Sequence, residues 1–171
     1  DDRKLTDRVA YITEGLGSTA IVEQYINGRE LYVGVIGNEK LQAFPPWEMK
    51  FANMPDGAHR IASARVKWST SYQKKHGIQC GRAQFQTPGM AEALPLLAKR
   101  VFSLLQMNGY GRIDIRLDDD GQPWILEANA NPQLAYGEDF AESADSDGMP
   151  YEALLQKILN IGLRWQADKA G

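Results

Sequence analysis

At 171 residues the chain can hold one domain with a sizeable core, or two small subdomains. Apolar residues make up 43% and charged residues 24%, which argues against disorder, and a net charge of -3 offers no basic surplus of the kind that advertises nucleic acid. Cys80 is the single cysteine, which leaves no disulfide framework or thiolate metal cage, fits a cytoplasmic setting, and accompanies a sequence with no apolar run long enough to cross a membrane.

The opening Asp1-Asp2-Arg3-Lys4 is not a signal peptide, and its abrupt charge reads as a fragment of a longer protein. Leu5, Val9, Ile12 and Leu16 then fall at helical spacing over residues 5–16, with Gly15 and Gly17 as the stop. Residues 20–25 read as a short strand, and Asn27-Gly28 as a hairpin turn into a strand over residues 30–36. Gly37-Asn38 turns the chain again into residues 40–44, so an antiparallel meander is expected, closed by Pro45-Pro46.

Residues 47–87 are less legible, with a strand expected near residues 65–68 and a polar loop around Lys74-Lys75-His76. His59 and His76 both read as solvent-facing. Leu94, Leu97, Val101 and Leu105 set out a helix over residues 90–107. Residues 112–117 and 123–128 are strands around Asp119-Asp120-Gly121, a strong turn signal. A polar loop, a short helix at residues 139–144 and a final amphipathic helix over residues 150–166 complete the chain. The class is α+β, an antiparallel β-sheet covered by helices.

The second of these hairpins carries the chemistry. Side chains alternate along a strand, so Arg112, Asp114 and Arg116 share one face, and Ile125, Glu127 and Asn129 share a face on the returning strand. A four-residue loop over residues 119–122 pairs Asp118 with Pro123. The same register sets Asp114 opposite Glu127 and Arg112 opposite Asn129. Two carboxylates facing each other repel, and a divalent cation between them reverses the sign. Magnesium takes one or two carboxylates and completes its shell with phosphate oxygens. Asn129 adds an amide oxygen, and Arg112 a planar cation suited to phosphate. The plainer reading is a hydrated hairpin face on which Arg112 is an ordinary salt link.

Gly111-Arg112-Ile113-Asp114 followed by Leu126-Glu127-Ala128-Asn129 resembles the paired signature of the ATP-grasp superfamily, in its D-alanine–D-alanine ligase-like branch. The resemblance runs from about residue 21 to 163 and includes Val22-Glu23-Gln24-Tyr25-Ile26 and Gly28-Arg29-Glu30. It implies the C-terminal portion of an ATP-grasp domain, with the glycine-rich-loop subdomain and an N-terminal domain preceding residue 1. It implies ATP and two magnesium ions, with manganese able to substitute, held by Asp114, Glu127 and Asn129. Arg112 would support the transferring phosphoryl group, adenine would meet Glu23, Tyr25 and Ile26, and ribose would meet Glu30. The phosphate lysine matches Lys67 best, on an expected strand, with Lys50 the competitor. Asn131 and Ser143 are the acceptor-side candidates. The stretch Asn131-Pro132-Gln133-Leu134 departs from the small, serine-bearing loop of the dipeptide ligase, so D-alanine does not follow as the substrate.

The function so implied is an ATP-dependent carboxylate–amine ligase that works through an acyl phosphate on small-molecule substrates. Neither nucleic acid nor membrane is an expected partner, and a homodimer is compatible. One alternative is a nucleotide-binding module with no activity as an isolated chain. Another is a phosphohydrolase using Asp114 and Glu127, which requires further Asp or His ligands.

Overall fold

The computed structural model describes residues 1–55 and 57–165. α1 (Asp2–Ala10) begins at Asp1, whose side chain accepts from the Lys4 amide, and its four-residue spacing buries no side chain. It runs on through a wide π-type turn, Tyr11–Gly15, and the Ser18 amide closes on the Ile12 carbonyl with Gly17 at a φ of 61°. The helix expected at residues 5–16 is therefore present and starts earlier.

Next come β1 (Arg29–Ile36), β2 (Gln42–Ala43) and β3 (Trp47–Phe51), then the short helices α2 (Ala64–Trp68) and α3 (Thr70–His76). β4 (Ile78–Arg82) leads into α4 (Met90–Leu104), β5 (Tyr110–Leu117), β6 (Pro123–Asn129), α5 (Asp139–Asp145) and α6 (Tyr151–Leu163). The strands form one antiparallel sheet in the order β4-β3-β1-β5-β6, with β2 paired to β1 beside this path.

Alternation divides the two central strands cleanly. On one face Leu31, Val33 and Val35 of β1 and Ile113, Ile115 and Leu117 of β5 pack against Leu94, Ala98 and Phe102 of α4, which lie one helical turn apart. Among the described residues the opposite face is covered only at its flanks. On one side Tyr32 and Met49 pack with Val66 of α2, and on the other Ile36 and Phe44 pack with Phe140, Ala144 and Leu154 from α5 and α6. The second flank is tight, because a Cβ on Gly34 would lie 2.9 Å from Phe44 and 3.0 Å from Phe140. Between the flanks, polar residues of β1, β5 and β6 line a cleft.

Four expectations change. Residues 20–25 form no strand, since no described strand pairs with them and Ile21 and Val22 are exposed. Strand propensity without a partner does not hold a ladder. Gly28 does turn the chain into β1, at a φ of 139° that brings its Cα side against the Leu117 carbonyl. Residues 65–68 are helical, started by Ser63, whose hydroxyl accepts from the Val66 amide, with Val66 facing inward. His76 is buried in the last turn of α3, its Nδ1 2.9 Å from the Asn53 carbonyl and its ring 4.3 Å from that of Tyr72, while His59 is exposed. α4 ends at Leu104 because Gln106 adopts a φ of 53°. Residue 166, the expected end of the last helix, lies outside the described residues.

Phe102 joins α4 to both central strands with no exposed surface. Phe102→Ala is expected to lower unfolding stability by about 3–5 kcal/mol, read by urea denaturation. A loss under about 1 kcal/mol would mean that the α4 face is not the core.

Candidate active site

The register of β1, β5 and β6 sets three rows of side chains across the open face. Glu30 stands beside Arg116 and Trp124, Tyr32 beside Asp114 and Glu127, and Gly34 beside Arg112 and Asn129. The expected pairs Asp114–Glu127 and Arg112–Asn129 are thus present, but by a different route. The turn is longer than expected: Leu117 rather than Asp118 pairs with Pro123, and the Asp118 amide donates to the Gln122 carbonyl. A β-bulge then admits one extra residue, Leu126, between the Ile115–Ile125 and Asp114–Glu127 pairs. Ile125 therefore sits opposite Ile115 instead of sharing the face of Glu127 and Asn129.

Asp118 fixes the turn. Its carboxylate accepts from the amides of Asp120 and Gln122 and from the Trp124 indole at 2.8 Å, and these bonds hold its pKa below the ordinary carboxylate value.

Asp114 and Arg112 form a two-pronged pair. Nε and one terminal nitrogen of Arg112 donate to the two carboxylate oxygens at 2.7 and 2.8 Å. The Arg112 guanidinium also stacks 4.5 Å from the centre of the Tyr32 ring. Burial works against the arginine's charge, but its bonds and attraction to Asp114 outweigh that and raise its pKa. Burial pushes the Asp114 carboxyl above its ordinary range; Arg112 draws it back and Glu127 pushes it further up, and the net shift is upward. Tyr32 is raised far above an ordinary phenol by burial and by the Glu30 carboxylate, to which its hydroxyl donates at 2.8 Å.

Two cavities open along these rows. One of about 430 Å³ is lined by Arg112, Asn129 and Tyr32, together with Gln133, Glu138 and Asp139 from the loop that leaves β6 and the start of α5. The other, about 270 Å³, is lined by Glu30, Asp114, Arg116, Leu126 and Glu127. Lys67 of α2 lines both. Lys50 is exposed on β3 and lines neither.

The remaining expected residues scatter. Tyr25 lies against Arg116, which lines the second cavity, its ring 5.6 Å from the guanidinium and its hydroxyl accepting from the Arg60 amide. Glu23 is exposed and Ile26 half-buried in the irregular segment before β1. Asn131 accepts from the Tyr110 hydroxyl at 2.9 Å and lines neither cavity. Ser143 is not brought to the cleft: it is buried in α5, where its hydroxyl donates to the Phe140 carbonyl. Arg116 and Tyr32 are absent from the expected site residues, although Arg116 shares a face with Asp114 and Tyr32 shares a face with Glu30, each two residues along its strand.

A divalent cation suits the central row. Among the described residues no three His, Cys, Asp or Glu side chains gather to hold a metal alone, and Glu127 has no ion-pair partner. Two carboxylates and the Asn129 amide oxygen, which accepts from the Asn131 amide, form an incomplete hard-oxygen set of the kind that magnesium completes with phosphate.

The architecture is that of the ATP-grasp class. Over 96% of the chain and 47% of its counterpart, it superposes with a TM-score of 0.71 and 19% identity on a D-alanine–D-alanine ligase of Bacillus anthracis solved with ATP. The family described as D-ala D-ala ligase C-terminus matches residues 5–160, and the chain belongs to this D-alanine–D-alanine ligase-like family. A D-alanine–D-alanine ligase of Methylacidiphilum infernorum is 31% identical over 86% of the chain and 44% of its own length. An uncharacterized Sinorhizobium fredii protein, y4sG, is 29% identical over 94% of the chain and 46% of its own length. The chain thus spans somewhat under half the length of the curated relatives it matches.

Because Asp114 binds its proton more tightly folded than unfolded, stability falls as pH rises from the ordinary value of 3.8 through the raised folded value, then levels. Without metal, Asp114→Asn is expected to remove this part of the slope, measured by denaturation from about pH 3.5 to 7. Identical slopes in the two proteins would contradict it.

Proposed function

We propose that this chain is the magnesium–nucleotide part of an ATP-dependent ligase that joins a carboxylate to an amine through an acyl phosphate. The observation that carries the reading is the central row: Asp114 opposite Glu127, with Asn129 and Arg112 one row on and Lys67 above both cavities. Relatives named as D-alanine–D-alanine ligases, and an ATP complex with the same fold, support it.

A carboxylate is a poor electrophile because resonance stabilises it and its oxygen leaves badly. In the proposed route a substrate carboxylate oxygen attacks the γ-phosphorus and ADP departs. The amine then attacks the acyl carbon, phosphate leaves, and the nitrogen loses its proton. The protein's task is positioning and charge neutralisation, with no protein nucleophile. Magnesium, when bound, would neutralise phosphate charge, and Asp114, Glu127 and Asn129 are the residues to hold it. Arg112 is pre-oriented by the Tyr32 ring and, with Nε and one terminal nitrogen on Asp114, keeps donors on its other terminal nitrogen for a phosphoryl oxygen. Lys67, on a short exposed helix, supplies a mobile point charge. The 430 Å³ cavity is the acceptor side, lined by Glu138, Asp139 and Gln133, the last from the stretch that departs from the dipeptide-ligase loop.

The chain's share of its relatives' length supports a second expectation. The other wall of the nucleotide site belongs to the rest of the protein, and the isolated chain binds nucleotide weakly without turnover.

The test is ADP release from Mg-ATP by the complete gene product across a panel of carboxylates and amines. At least one pair is expected to stimulate release, and Asp114→Ala to abolish it. Glu127→Gln should weaken magnesium-dependent nucleotide binding at least about tenfold, the scale of even outer-shell metal partners. Asp118→Asn, at the turn, should change it less than about twofold. No stimulated release with any acceptor, together with unchanged affinity in Asp114→Ala, would refute the ligase.

A further inference from the structure

Arg116 is 2% exposed, yet it meets three separate segments. One terminal nitrogen donates to Glu30 Oε2 at 3.1 Å, and the other to the carbonyls of Arg60 at 2.7 Å and Gly28 at 3.4 Å. The Tyr25 ring lies against the guanidinium, and the Tyr25 hydroxyl accepts from the Arg60 amide at 3.3 Å. The strand carrying Glu30, the irregular segment before it and the stretch leading to α2 thus converge on one side chain.

Glu30 takes one donor on each oxygen, Tyr32 on Oε1 and Arg116 on Oε2. Its plane is thereby fixed, and each oxygen keeps acceptor capacity beyond the bond it has made. Glu30 and Arg116 line the same 270 Å³ cavity. A buried ion pair built only for stability has no need of an adjoining cavity lined also by Lys67, Asp114 and Glu127, and an apolar pair of similar volume would often serve as well.

We propose that Arg116 is a positioning residue for the nucleotide sugar: it holds the Glu30 carboxylate to accept from ribose hydroxyls and clamps residues 25–28 and 60 around that end of the site. This rests on the reading of Glu30 as the ribose group. Only a planar fork of donors reaches a carboxylate and two carbonyls together, so lysine replaces it incompletely.

The experiment compares ATP with 2′,3′-dideoxy-ATP in the complete gene product, by equilibrium binding with magnesium, beside thermal unfolding. Wild type should prefer ATP by about 10- to 100-fold, the range of a hydrogen bond to a charged group. Glu30→Gln and Arg116→Met should each bring that ratio close to one, while dideoxy-ATP affinity changes less than about threefold. Arg116→Lys, the milder change should the methionine variant fail to fold, should leave an intermediate ratio. If Glu30→Gln erases the preference and Arg116→Lys keeps it whole, the Arg116 role is overturned while the ribose assignment stands. If Glu30→Gln leaves the preference untouched, the ribose assignment fails and takes this inference with it. Equal weakening of both nucleotides in the arginine variants, tracking lost thermal stability, also overturns it.

Discussion

Two carboxylates stand opposite each other across one pair of strands, and much of the cleft can be read as a response to that repulsion. Asp114 and Glu127 are neighbours in a row of the sheet, and like charges so placed cost stability. Arg112 grips one of them with both arms of its fork and leaves the other unpaired. The arrangement tolerates this cost because the surrounding sheet is over-determined. β5 is paired along its whole length to β1 on one side and from Arg112 to Leu117 to β6 on the other, and its opposite face is packed against α4. A site that is electrostatically unfinished is held by a scaffold that is finished, the combination expected of a place reserved for a polyanion and its counter-ion.

Rows of the sheet also separate the tasks. The row of Glu30 and Arg116 is held rigid by bonds to other parts of the chain, while the Glu30 oxygens keep acceptor capacity beside the smaller cavity. The row of Asp114 and Glu127 is charged and half satisfied. The row of Arg112 and Asn129 opens toward the larger cavity. A ligand lying along the cleft would meet rigid polar groups at one end and adjustable ones at the other.

How much of this could be read from residues alone depended on how local each feature is. The polar alternation in Gly111-Arg112-Ile113-Asp114 and the turn at Asp119-Asp120-Gly121 were enough to find the hairpin and the Asp114–Glu127 pairing. Family resemblance then supplied chemistry that spacing leaves open. The bulge at Leu126 was invisible because an extra residue and a longer turn offset each other: two displacements of the register cancelled at Asp114 and left Ile125 misassigned. The resemblance sets Lys67 on a strand, but a run as short as residues 65–68 cannot separate a strand from a helical turn. His76 looked like part of a hydrated basic run, and only the approach of Asn53 and Tyr72 buries it. Arg116 needed the long-range meeting of Gly28, Glu30 and Arg60, which no local pattern encodes.

β6 is the last strand in the order and forms the edge of the sheet among the described residues. Its sequence is Pro-Trp-Ile-Leu-Glu-Ala-Asn, and Trp124, Ile125 and Leu126 are exposed. An apolar free edge is a template for another chain, and natural edges are guarded by a charge, a proline or a bulge. This edge has all three, in Pro123, the bulge and Glu127, the strand's sole charge. The carboxylate that a cation would neutralise is therefore also the gatekeeper against strand-to-strand association. Its loss would be felt in the colloidal behaviour of the protein as well as in its chemistry.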